Sequence, residues 1–209
     1  MMSAPTPACE PLLCLASASA RRRELLVQIG VAHEVAPAEI DEERMLGESP
    51  REYVLRMARE KALSIHARRP ERPILAADTA VVLDELVYGK PRDRAHALAM
   101  LASLGGRAHQ VLTAVALVAD GRLTSALSAS TVRLRALSEA ELAAYWETGE
   151  PRDKAGAYAI QGVGAIFVQS LDGSFSGVMG LPLYETAQLL RAAGVPCWLE
   201  RSVRAATGR

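Results

Sequence analysis

The sequence predicts a mixed α/β fold: a central sheet flanked by helices, in one compact domain with two lobes around a cleft. Three observations carry this. Amphipathic helical patterns alternate with short apolar runs of strand length along the chain. Two turn signals, Asp84–Glu85 and Asp120–Gly121, each separate a pair of strand-like runs and require antiparallel neighbours. The 209 residues, half of them hydrophobic, suffice for one core and show no linker, repeat or low-complexity tract. The core is expected over about residues 12–200, with flexible tails at 1–11 and 201–209.

The elements follow in chain order. Residues 12–16 are apolar and read as a buried strand, and 21–29 as a helix stopped by Gly30. "SPREYVLRMAREKALSIHA" is a helix whose start is written three times: Ser49 as cap, Pro50 in the first turn, and Glu52 three residues after the cap. "RPILAADTAVVLDELVYGKP" reads as two strands, and "DRAHALAMLASLGG" as a helix ended by paired glycines. A long hairpin follows over 109–137, then a helix in "SEAELAAYW" with a second capping box, Ser138 to Glu141. Residues 155–181 mix glycines with short apolar runs, and "YETAQLLRAAG" is a closing helix.

Lysine plus arginine equals aspartate plus glutamate, 24 each, so no global basic field exists to hold nucleic acid or an anionic membrane. Any anion site must be built locally. Cys9, Cys14 and Cys197 form no CxxC pair, and their odd number argues against a secreted disulfide framework. No apolar run has membrane-spanning length, and "MMSAPTPACEP" lacks the basic start and apolar centre of a signal peptide. A cytoplasmic location is expected.

Chemistry concentrates in a few places. In "LCLASASARRRELL", Ser17 and Ser19 lie between a strand and a helix opened by Arg21, Arg22 and Arg23. A helix N-terminus offers free N–H groups and a partial positive charge, and guanidinium forks match phosphate oxygens. The stretch is either a serine cap beside solvated arginines or an anion site. Lys61 falls on the apolar stripe of its helix with Val54, Met57 and Ile65, so it either extends its ammonium to the surface or meets an anion. Asp78 interrupts the apolar strand "ILAADTAVVL"; it is either half of a structural ion pair or a general base or metal ligand. Lys90 and Lys154 precede a helix start and a glycine-rich turn and are either solvated surface lysines or part of a site, and Asp41, Glu42 and Glu43 are either an ordinary charged loop or acids that share a metal. The histidines lack zinc-type spacing, and no GxSxG, HExxH or Walker loop is present.

"LASASARRRELL", "REKA" (59–62), "AADT" (76–79), "GKPRD" (89–93), "HQVLTAV" (109–115), "TGEPRDKAGAYAIQG" (148–162) and "GVMGLPLYET" (177–186) occur in the order found in the Maf-type nucleoside triphosphate pyrophosphatases, and the chain resembles that family over about residues 13–194. The resemblance implies the elongated fold of the inosine triphosphate pyrophosphatase-like kind, with a deep cleft, and a cytoplasmic, homodimeric, house-cleaning enzyme. It implies cleavage of a nucleoside triphosphate to monophosphate and pyrophosphate with a divalent cation, Mg²⁺ or Mn²⁺. Asp78 matches the family's proton acceptor. Ser17, Arg22, Lys61, Lys90 and Lys154 match substrate-binding positions, and Glu42 matches a cleft position able to share the metal with Asp78. Arg21, Thr79 and Gln161 match the positions that separate subgroups and resemble the one acting on dTTP and UTP; modified pyrimidine nucleotides would be further substrates. Ala20 departs from the family's usual proline and implies a looser turn there. The Gln161 amide has one donor and one acceptor to offer N3–H and a carbonyl of uracil or thymine, and a flipped amide would also suit cytosine. The alternatives are a same-fold enzyme for 7-methyl-GTP or another base, or a nucleotide-binding regulator of cell division without turnover.

Overall fold

The computed structural model describes residues 12–197, so the tails expected at 1–11 and 201–209, and Cys9, lie outside the described residues. Strands β1 (Leu13–Leu15), β2 (His33–Val35), β3 (Ile74–Leu83), β4 (Leu86–Tyr88), β5 (Ala108–Ala119), β6 (Arg122–Leu134) and β7 (Val168–Asp172) form one sheet. Helices α1 (Ala20–Gln28), α2 (Pro50–His66), α3 (Arg94–Leu104), α4 (Glu139–Glu147), α5 (Phe175–Met179) and α6 (Leu183–Ala192) complete the regular elements. The order is β2-β1-β3-β5-β6-β7, with β4 paired to β3. β1 runs parallel to β2 and β3, and every other pair is antiparallel, so the mixed sheet expected from the hairpins is present.

The local signals act where expected. Both capping boxes form, at Ser49–Glu52 and Ser138–Glu141. Asp84, Glu85, Asp120 and Gly121 all take the positive φ that tight hairpin turns demand. The short strands β2 and β7 and the 3-10 turns at Glu150–Asp153, Ala155–Ala157 and Val163–Phe167 are additions to the sequence reading.

Two features open a cleft. First, β1 and β4 share one edge of β3: β1 pairs at Ile74 and Leu75, and β4 at Val81–Leu83. Residues 76–80 of β3 have no strand neighbour on that edge. Second, the odd-numbered face of β3 is apolar at both ends but not in the middle. Leu75 and Ala77 pack with α1 and α6 residues such as Leu26 and Leu190, whereas Val81 and Leu83 pack with α3 and α4 residues such as Leu101 and Tyr145. Between these two cores stands Thr79, opposite Thr113 of β5. The two apolar cores on this face thus lie on either side of the threonine pair.

Candidate active site

The cleft encloses about 650 Å³ and lies at the gap in the sheet. Its walls come from the β1–α1 corner, α2, the middle of β3, the end of β4 and the glycine-rich segment after α4. Ten of the residues singled out in the sequence line it: Ser17, Arg21, Arg22, Glu42, Lys61, Asp78, Thr79, Lys90, Lys154 and Gln161; Arg23, Asp41 and Glu43 do not.

Strand alternation sends Asp78 to the face of β3 that packs against α2, where the apolar residues Ala76 and Ala80 flank it. It is 7 % exposed, and Lys61 Nζ donates to its Oδ1 at 2.7 Å. The same ammonium lies 2.7 Å from Glu42 Oε1. The lysine on the apolar stripe is therefore buried between two carboxylates, the outcome that desolvation of a lone charge requires. Burial pushes the Asp78 carboxyl above its ordinary value, against the opposing pull of Lys61 and Arg22. Among the three acids of the preceding loop, Glu42 is the one that reaches Lys61. Its loop is held to α2 by the Tyr53 hydroxyl, which donates to Glu42 O at 2.9 Å, and by Arg56, which donates to Glu43 O and to both Glu48 carboxylate oxygens.

On the other face of β3, Thr79 meets Arg22. The guanidinium donates to Gly180 O at 2.8 Å, Ser17 Oγ at 3.0 Å and Thr79 Oγ1 at 3.3 Å, while Thr113 Oγ1 lies 3.0 Å from Thr79 Oγ1 and donates to Gly177 O at 2.7 Å. Burial lowers the Arg22 pKa from its usual value, with Asp78 opposing. The β1–α1 corner thus holds its arginine fork by three acceptors, and Ser17 Oγ also accepts from Ser19 N at 3.2 Å. Ser19 occupies the cap position without a side-chain cap bond, so its hydroxyl leaves the first N–H groups of α1 uncapped, and Ser19, Ala20, Arg21 and Arg22 all line the cleft. Arg23, the third arginine, is exposed and does not line the cleft.

Across the cleft, Arg21 Nη1 is 3.5 Å from Asp153 Oδ2, and Lys154 pairs with the same carboxylate. Lys90 is exposed at the end of β4. Gln161 is an exposed side chain at the cleft's far rim. The sequence reading missed Tyr53, Arg56, Thr113 and Asp153; the i, i+4 spacing of Arg56 and Glu60 and the isolated threonine in "HQVLTAVALVA" were the available signals.

Asp78 and Glu42 each commit one oxygen to Lys61, which fits a hard cation that takes one or two carboxylates and completes its shell with water and phosphate. No group of three or more His, Cys, Asp or Glu able to hold a metal occurs among the described residues, so phosphate oxygens would be needed.

Residues 12–193 match the family described as Maf-like protein. The chain is 54 % identical over 204 residues to the dTTP/UTP pyrophosphatase of Bordetella parapertussis, covering 93 % of this chain and 99 % of that protein. The proteins of the same name from Bordetella avium and Methylobacillus flagellatus are 55 % and 54 % identical over 88 % and 87 % of this chain, and 96 % and 92 % of their own. Among solved structures, the Ham1 protein of Staphylococcus aureus superposes with a TM-score of 0.41 at 12 % identity, over 58 % of this chain and 71 % of that one.

Proposed function

We propose, from the premise that this chain belongs to the Maf-like protein family, that it hydrolyses dTTP and UTP to the monophosphate and pyrophosphate. The observation that carries the reading is the pairing of buried Asp78 with Lys61 at the floor of a cleft whose walls hold Arg21, Arg22, Lys90 and Lys154. A nucleoside triphosphate brings about four negative charges, and only a convergent set of cations makes its burial favourable.

The residues divide the work. Arg22, Lys61, Lys90, Lys154 and the start of α1 hold the phosphates, with Ser17 and Thr79 fixing the Arg22 fork. Asp78 is the general base: a water attacks the α-phosphorus, its proton passes to the Asp78 carboxylate, the bond from that phosphorus to the α–β bridging oxygen breaks, and pyrophosphate leaves. A raised carboxyl pKa makes Asp78 a stronger proton acceptor than an exposed aspartate. Asp78 and Glu42 would hold Mg²⁺ or Mn²⁺ with the phosphates, which when bound supplies charge neutralisation and a more acidic water. Gln161 faces the base, its amide matching N3–H and one carbonyl of uracil or thymine.

The reading extends to modified pyrimidine nucleotides, to a cytoplasmic house-cleaning role and to a homodimer. No helix among the described residues is long and apolar enough to cross a membrane. A panel of nucleoside triphosphates, with pyrophosphate release followed in the presence and absence of Mg²⁺ or Mn²⁺, tests the activity. dTTP and UTP should lead, and equal or better turnover of 7-methyl-GTP would overturn the subgroup. Light scattering after size exclusion tests the dimer.

A further inference from the structure

We infer that Glu150 is the positioning residue for base selection: it clasps the turn that carries Gln161 and thereby fixes where the amide meets the pyrimidine. The inference rests on the pyrimidine-triphosphate reading above and deepens it.

Glu150 touches no charged partner at hydrogen-bond distance among the described residues; its two oxygens are spent on a turn. Oε1 accepts from Gly164 N at 2.9 Å and from the Tyr145 hydroxyl at 2.5 Å, and Oε2 accepts from Val163 N at 2.9 Å. Tyr145 Oη in turn accepts from Ala159 N at 3.1 Å. Backbone is thus gripped on both sides of Gln161: at 159 through the phenol, and at 163 and 164 directly. Both grips converge on one carboxylate. Burial disfavours its charged form, but the phenol and the two N–H donors together hold the carboxyl below its ordinary value.

The glycines of "IQGVG" support this sterically. A Cβ on Gly162 would stand 2.0 Å from Glu150 Oε2, and one on Gly164 2.5 Å from Tyr145 Oη. Gly162 has φ −113°, which any residue can adopt, so the requirement there is space for the carboxylate. Ile160, just before Gln161, is buried, which leaves the amide as the exposed group at the crest of a turn fixed from beneath. Glu150 itself does not line the cleft. It acts through Gln161.

The test is Glu150→Gln in the full chain. The substitution replaces one carboxylate oxygen by an NH₂ that cannot accept from a backbone N–H, and loss of a hydrogen bond to a charged group weakens its site by about tenfold or more. KM for dTTP and UTP should rise about tenfold, and the preference for UTP over CTP should fall by a similar factor, with kcat for UTP within about twofold. Inhibition by inorganic triphosphate, which occupies only the phosphate end, should keep its wild-type constant. Unchanged UTP-over-CTP selectivity, or triphosphate inhibition weakening in step with KM, overturns the inference. If Glu150→Gln does not fold, Tyr145→Phe removes one grip while leaving the carboxylate. The same two measurements then apply: selectivity should fall while triphosphate inhibition holds, and the opposite pattern overturns the clasp. Wild-type protein that releases no pyrophosphate from dTTP or UTP defeats the activity reading, and the clasp with it; selectivity that survives the substitutions defeats the clasp alone.

Discussion

The two walls of the cleft are built differently. The wall proposed to hold the phosphates is made of regular elements: β3 presents Asp78, α2 presents Lys61, and the β1–α1 corner presents Arg22. Each side chain there is placed by strand alternation or helical period, and then locked by hydrogen bonds to the neighbouring element. The wall proposed to meet the base, which also carries Lys154, is a run of 3-10 turns and glycines after α4, held by Tyr145 and Glu150 and backed by Tyr158. The contrast teaches that Asp78, Lys61 and Arg22 share the stability of the core, whereas Gln161 hangs on a few polar contacts.

The sharpest way to break that contrast is Asp78→Asn. It keeps shape and removes the proposed proton acceptor, so kcat should fall about 10²- to 10⁴-fold while nucleotide binding, followed by equilibrium dialysis, persists. Wild-type turnover would move the base elsewhere in the cleft.

His109 probes what stands behind the base wall. It is 2 % exposed, its Nε2 lies 2.8 Å from the Tyr158 hydroxyl, and its Nδ1 has no partner. Burial holds its pKa down to about 4, against 6.5 for the free side chain. The unfolded chain therefore binds the extra proton first as pH falls. The stability of the neutral, buried ring is complete above about pH 6.5 and is lost progressively down to about pH 4, by as much as about 3 kcal/mol. Denaturant melts across that range should show the loss, and His109→Gln should flatten it. A wild-type curve as flat as the variant's would remove His109 as the acid-sensitive group.

Arg22→Lys should cost about 1–3 kcal/mol of transition-state binding, read from kcat/KM, because one ammonium cannot reproduce a fork held by Gly180 O, Ser17 and Thr79. A loss below twofold would mean that charge alone matters there. The smallest effect is Ser138→Ala, which removes the α4 cap and should lower stability by about 1 kcal/mol in denaturant melts with kcat unchanged. A fall in UTP-over-CTP preference in that variant would show that α4 as a whole, beyond Tyr145, sets the turn.

The same division explains what the sequence revealed. The long helices, the hairpins and both capping boxes were legible because their determinants are local: a cap, an apolar period, a turn pair. Lys61 and Asp78 stood out as charges against an apolar period, and the structure brings them within 2.7 Å. The two threonines were harder to read. Each is an ordinary residue in its own strand, and only their pairing across β3 and β5 splits the core. Strand β2 is three residues long and gains its neighbour from β1, which no local pattern announces. The base wall was legible only as a glycine-rich stretch, because its order depends on one carboxylate meeting N–H groups thirteen and fourteen residues away.

Strand β3 places Asp78 and Thr79 on opposite faces, so a slip of one residue against β5 would exchange an acid for a hydroxyl beside Lys61. The same slip would carry Leu75, Ala77, Val81 and Leu83 out of the cores they fill and onto the face packed against α2, where Ile74, Ala76, Ala80 and Val82 fit. A misaligned strand therefore spoils the packing of both its faces together with the placement of its acid.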